Sequence, residues 1–279
     1  MVTYAVKTPP QHGAWADYLD VWRAADDIDT YSIAWNFDHF YPLNDPIDGP
    51  CLEGWTTLAA LARETKRLRI GTMVTGMHYR HPAVTANMAV TLDHVSDGRF
   101  ILGLGAGWYI PESEAYGIPL GSLKERMDRF DEGVEVITSM LTQNSTSFSG
   151  KYFELEDAMC NPKPLQKPRM PIVIGGRGEK RTLRTVAKHA DMWDALMTPV
   201  EEYQRLHGVL KQHCAAVGRD VSEISTSVHL PWNVDDDPAA LAARTVDYDG
   251  AGVDMIVFSM RGPYLASMLE PLAAELGKL

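Results

Sequence analysis

The chain has 279 residues, 45% of them hydrophobic and 23% charged, which is an ordinary globular balance. Its 26 basic and 37 acidic residues give a formal charge of −11, the wrong sign for a general nucleic-acid or anionic-membrane binder. Three cysteines (Cys51, Cys160 and Cys214) are odd in number, far apart and without a CxxC pair, so they suggest neither a disulfide framework nor a zinc site. No apolar run approaches the ~20 residues of a membrane helix, and the first residues do not read as a signal peptide; a cytoplasmic protein is expected.

Short apolar runs alternate with amphipathic stretches along the whole chain, which predicts a mostly parallel sheet. A strand is expected at 3–6, a helix at 14–27 with Tyr18, Leu19 and Trp22 on one face, and a strand at 31–35. A helix carrying Leu58 and Leu61 leads to a strand at 69–74. Pro82 opens the next helix, where a missing N–H costs nothing, and a strand follows at 99–103. Leu123, Met127, Phe130, Val134, Ile137 and Leu141 recur at spacings of three and four, the clearest helix in the chain. Residues 143–168 break the pattern with Pro162, Pro164 and Pro168 and read as a hairpin and loop. Further strands are expected at 171–174, 192–196, 224–228 and 254–258, with helices between and after them. Eight strands and eight helices in this length fit a single (β/α)8 barrel domain spanning 1–279, with 143–168 as an insertion near the fifth strand. In such a barrel, chemistry sits at the C-terminal strand ends. Those windows are 7–13, 36–45, 72–80, 103–114, 175–181, 197–199, 229–233 and 259–263.

Several windows hold candidate chemistry. Asp38-His39 follows the second strand, and an imidazole beside a carboxylate can serve as acid or base near neutral pH. His78 and His81 lack a third ligand type nearby, so no metal site is expected. Arg80 could hold an anion. Gly103, Gly105 and Gly107 form GxGxG rather than the GxGxxG dinucleotide fingerprint, and let a backbone approach a ligand. Glu112 and Glu114 could form an acid/base pair. Gly175-Gly176-Arg177-Gly178, with Lys180 and Arg181, opens a helix and suits a phosphate.

Taken together, these stretches resemble the bacterial luciferase-like flavin and deazaflavin oxidoreductases, in particular an actinobacterial branch using coenzyme F420. The resemblance rests on Pro9-Pro10-Gln11-His12, on Trp35-Asn36-Phe37-Asp38-His39-Phe40, and on Gly71–Gly76 with Tyr79-Arg80-His81-Pro82. It continues through Leu92–Arg99, Gly103–Trp108, Asn161-Pro162-Lys163-Pro164 and Ile174-Gly175-Gly176 with Ala190-Asp191. It implies hydride transfer between F420 and a small organic substrate, with FMN and molecular oxygen as the alternative chemistry and a non-catalytic deazaflavin carrier as a third. It implies His39 as a catalytic group, with Glu112 of the acid/base pair above as the second catalytic candidate. Asp38, Thr72, Met73, Val74, Gly105, Ala106, Gly107, Trp108, Gly175, Gly176, Arg177 and Gly178 are implied to bind the cofactor. A non-proline cis peptide is implied within 72–74, and a homodimer is expected by the same analogy. Sugar-phosphate dehydrogenases of this branch carry a glutamate where this chain has Trp108, so that activity is not implied.

Overall fold

A computed structural model describes residues 2–279. Eight parallel strand positions close on themselves. β1 (Thr3–Lys7) pairs with β2 (Tyr31–Asn36), which pairs with β3 (Arg69–Thr72) and, after a break, the two-residue β4 (Thr75–Gly76). β5 (Phe100–Gly105) pairs with both β3 and β4. Then come β8 (Ile172–Gly175), β9 (Met192–Asp194), β10 (Ser225–Trp232) and β11 (Met255–Met260), and β11 returns to β1. This is the expected (β/α)8 barrel. Residues 143–168 contain the antiparallel hairpin β6 (Thr146–Ser149) and β7 (Glu154–Ala158), outside the barrel.

The helices lie on the outside: α1 (Trp15–Asp27), α2 (Gly54–Glu64), α3 (Pro82–Val95), α4 (Ile110–Ala115), α5 (Leu123–Thr142), α6 (Thr182–His189), α7 (Val200–Ala216), α8 (Pro238–Gly250) and α9 (Leu269–Leu276). Strand residues alternate between two cores because successive side chains point to opposite faces. Ala5, Ile33, Trp35, Ile101, Val173 and Val257 fill the barrel interior, while Val6, Ala34, Phe100, Leu102 and Ile172 pack outward against the helices. α5 starts at a capping box, Ser122 with Glu125, and buries Met127, Phe130, Val134, Ile137 and Leu141 as the periodicity predicts. Leu123 departs from that stripe: it sits at the first turn, exposed, on the barrel mouth. No helix among the described residues is long and apolar enough to cross a membrane.

Three local departures matter for the mouth. The strand expected at 69–74 ends at Thr72, because the chain leaves the ladder through a cis Met73–Val74 peptide. Residues 110–115, expected as loop, form α4. The helix after the 175–178 glycines starts at Thr182, since Arg181 turns back to ion-pair with Asp128 and Asp131 of α5 at 2.8 and 2.7 Å. Gly103 is required where β5 passes this break: a Cβ there would lie 1.8 Å from the Thr72 carbonyl oxygen.

Candidate active site

The C-terminal ends of the strands surround a cavity of about 630 Å³. His39, Met73, Val74, Gly105, Ala106, Gly107, Trp108, Gly175 and Gly176 all line it. Asp38, Thr72, Glu112, Arg177 and Gly178 do not line it. Thr72 is buried behind the wall against the Thr75 hydroxyl at 3.0 Å. Arg177 and Gly178 are exposed just beyond Gly176.

The rim is organised by Glu112. This carboxylate is fully buried, and Oε2 accepts from His39 Nδ1 at 3.0 Å and from the Tyr79 hydroxyl. Oε1 accepts from the backbone N–H groups of Phe40 and of Tyr41, the latter at 2.9 Å. Burial disfavours the charged form, but the hydrogen bonds from His39 and Tyr79 and that from Phe40 prevail and hold Glu112 below the usual carboxylate range. An ionised Glu112 only accepts, so Nδ1 carries the proton and Nε2 is left free of protein partners on the cavity wall. Phe37, Trp108 and Tyr109 meet the imidazole edge-on, with centroids 5.1, 5.8 and 5.9 Å away, and fix its plane.

The expected partner of His39 was Asp38, and the structure corrects this. Adjacent residues leaving a strand point to opposite sides. Asp38 faces outward, where Arg80 binds it bidentately at 2.6 and 3.1 Å. Burial lifts the Asp38 carboxyl, and the Arg80 guanidinium opposes the shift. Arg80 also pairs with Glu53 at 2.8 Å. It is therefore neutralised, as is Arg181, and neither is the free phosphate cation that the sequence suggested. Glu114 is exposed and does not join Glu112. His78 donates to or accepts from Ser113 at 3.1 Å, and burial lowers its pKa to about 4. His81 caps α3 through Ala83 N–H. Cys51 lies next to the His39 carbonyl, and burial pushes its thiol up to about 12. There is no cluster of three or more metal-ligating side chains among the described residues.

The floor is a group of residues the sequence did not single out. Lys7, the last residue of β1, donates to the Met73 carbonyl at 2.9 Å. Asp194 ends β9, and its Oδ1 is shared by His229 Nε2, Ser227 Oγ and Leu196 N–H, each at 3.1 Å. Lys7 is enclosed by protein and reaches solvent through the cavity. Burial lowers its pKa to about 8, with Asp194 opposing. Arg126 of α5 and Arg261, just after β11, also line the cavity and form no ion pair among the described residues. Lys7 and His229 fall in strand-end windows and carry polar groups in apolar strands, a signal that could have found them; Asp194 and Arg126 lie outside every window.

The residues fit a flavin-type group. The volume lies in the range of small-molecule sites. Gly176 has φ +133, which only glycine adopts without strain, and no protein acceptor takes the N–H groups of Arg177 and Gly178 in front of α6. Lined by Arg126 and Arg261, with Lys7 offset by Asp194 and no carboxylate among the lining residues, in a chain of charge −11, the cavity suits an anionic, phosphate-bearing molecule.

A (β/α)8 barrel with an ordered carboxylate–imidazole pair and a glycine turn at its mouth suits an oxidoreductase built around a flavin-type cofactor. The family model of the luciferase-like monooxygenases matches residues 1–268, and the chain belongs to that family. It is 28% identical over 220 residues to an F420-dependent glucose-6-phosphate dehydrogenase of Kineococcus radiotolerans, covering 76% of this chain and 62% of the relative. It is 29% identical over 215 residues to the pyrimidine monooxygenase RutA of Acinetobacter baylyi, covering 75% and 56%. Its fold matches the coenzyme F420-dependent tetrahydromethanopterin reductase of Methanopyrus kandleri with a TM-score of 0.85 over 99% of both chains, at 16% identity.

Proposed function

We propose that the protein transfers a hydride between coenzyme F420 and a small organic substrate. The observation that carries this reading is the charge of the cavity wall: Arg126 and Arg261 with no carboxylate among the lining residues, the charge of Lys7 being offset by Asp194 behind the wall. Deazaflavin bears a phosphate and a polyglutamate tail, so it gains more from these cations than FMN does. When bound, the ring supplies the hydride chemistry, and the protein supplies orientation and electrostatics. Gly175, Gly176 and the free N–H groups of Arg177 and Gly178 hold the phosphate, assisted by the exposed Arg177 and Lys180. Met73, Val74 and the Gly105–Gly107 backbone support the ring, with Trp108 at its edge. His39 presents Nε2 to the reacting centre as acid or base, and Glu112 positions it. Asp38 and Thr72 act from behind the wall, by holding Arg80 and Thr75.

The second reading, FMN with molecular oxygen, is favoured by the similarity to RutA and by the fact that the same turn accepts any ring with one phosphate. Parallel titrations with F420 and FMN decide between them. F420 is expected to bind at least tenfold more tightly at low salt, and Arg126→Met to narrow the gap. Micromolar FMN binding with no F420 binding reverses the reading. We also propose a homodimer, on the exposed apolar Val84 and Met159 along the groove between α2, α3 and the hairpin. Sedimentation as a monomer at micromolar concentration opposes it.

A further inference from the structure

The floor holds more polar capacity than the fold consumes. An ammonium has three donors, and Lys7 uses one, on the Met73 carbonyl. Asp194 Oδ1 takes three donors while Oδ2, fully buried, takes none. A buried carboxylate oxygen without a partner is costly; being an acceptor only, it favours added positive charge beside it. His229, only 5% exposed, gives Nε2 to Asp194 at 3.1 Å and lies 3.0 Å from the Met73 sulfur. Its Nδ1 has no protein partner, and the residue lines the cavity.

Charge counting shows what this arrangement accepts. Burial opposes the charge on Asp194, but His229 and Lys7 outweigh it and hold the carboxyl below its ordinary range. An ionised Asp194 and a protonated Lys7 cancel. The strands that pack on it, β1, β9, β10 and β11, bring no other titratable group to it than these three; Arg261 stands higher, at the mouth. One anion seated on the spare donors of Lys7 would leave a net negative charge in a low-dielectric site. Protonation of His229 cancels it, with Asp194 already in place to stabilise the imidazolium.

We propose that Lys7, Asp194 and His229 form an anion-binding floor that takes a planar delocalised anion, N–C=O or carboxylate, and draws one proton from solvent onto His229 as the anion is seated. Such an anion has two sources. One is the ionisable N–H beside a carbonyl in a reduced deazaflavin ring, which rests on the cofactor reading above. The other is a substrate carboxylate.

Calorimetry in buffers of different ionisation enthalpy counts the protons. The ligands are reduced F420, oxidised F420 as control, and pyruvate added with and without oxidised F420. Uptake approaching one proton with reduced F420 identifies the ring as the source; uptake with pyruvate identifies the substrate. His229→Gln and the near-isosteric Asp194→Asn abolish the uptake. Lys7→Met weakens binding of the anion tenfold or more and weakens oxidised F420 far less. Thermal unfolding first establishes that each variant is folded, and the three variants are independent. Buffer-independent heats in wild type with both ligands, or uptake that persists in His229→Gln, overturn the proposal. If F420 in either state fails to bind, the cofactor reading falls alone, and the pyruvate arm without F420 still decides the floor: no binding or no proton uptake there overturns it.

Discussion

Two carboxylate–imidazole pairs present their imidazoles to one cavity, and they are built in opposite ways. At the rim, both oxygens of Glu112 are saturated: Oε2 by His39 and Tyr79, Oε1 by two backbone N–H groups. At the floor, one oxygen of Asp194 carries three donors and the other carries none. A saturated carboxylate fixes orientation, because any tilt of His39 breaks a bond that has no alternative. A half-satisfied one keeps capacity in reserve. The difference teaches that a shared motif does not define a shared task; the unspent hydrogen-bonding capacity does.

The largest expected effect tests the rim. His39→Ala should lower turnover roughly 10²–10⁴-fold, the usual scale for a positioned acid or base. Cofactor affinity, followed by fluorescence, should change far less. Full turnover in this variant would make the rim pair architectural and reverse the contrast. Gly176→Val should do the converse. A side chain at φ +133 costs about 1–3 kcal/mol of strain, which the turn relieves by leaving its binding conformation, a loss of roughly fivefold to a hundredfold in affinity, with turnover recovering at saturating cofactor.

Smaller effects appear in stability. Lys7 titrates at about 8 in the folded protein against an ordinary 10.5, so between these values the unfolded chain binds more protons. Stability should therefore rise with pH across that window, and the burial penalty should be full below it. Lys7→Met should remove this rise and lift the Tm at pH 7 by roughly 2–4 °C. The rim behaves oppositely. Glu112 titrates below its ordinary 4.5, so its contribution is full above that pH and is lost as pH falls through its folded value. Glu112→Gln should flatten this acid limb in pH-dependent unfolding. A wild type whose stability is flat on both limbs would erase the distinction between rim and floor.

Most of the fold was legible because apolar runs and helical stripes are local. The strand bounds miss where tertiary geometry intervenes, as at Met73–Val74, and α4 is missed because six residues with Pro111 and two glutamates read as loop. The rim was half legible. His39 and Glu112 were both singled out, yet His39 was assigned to its neighbour Asp38, since sequence adjacency hides the alternation of side-chain directions. The floor was nearly invisible. Lys7, Asp194 and His229 lie in three separate strands, and only closure of the barrel gathers them. The basic residues were misread for a related reason: Arg80 and Arg181 look free in the sequence, and the fold supplies carboxylates for both.

Closure of the ring also dictates when the site comes into being. Thr3 pairs with Met255, so β1 finds one of its two neighbours only about 250 residues further along the chain. Contacts of such separation form late and slowly, because the intervening loop must be closed before they are rewarded. Lys7 rides on that strand, and its partners Asp194 and His229 come from the last third of the sequence. A growing chain on the ribosome can therefore build the His39–Glu112 rim from its first half, but it stays without a floor until the final strand has emerged.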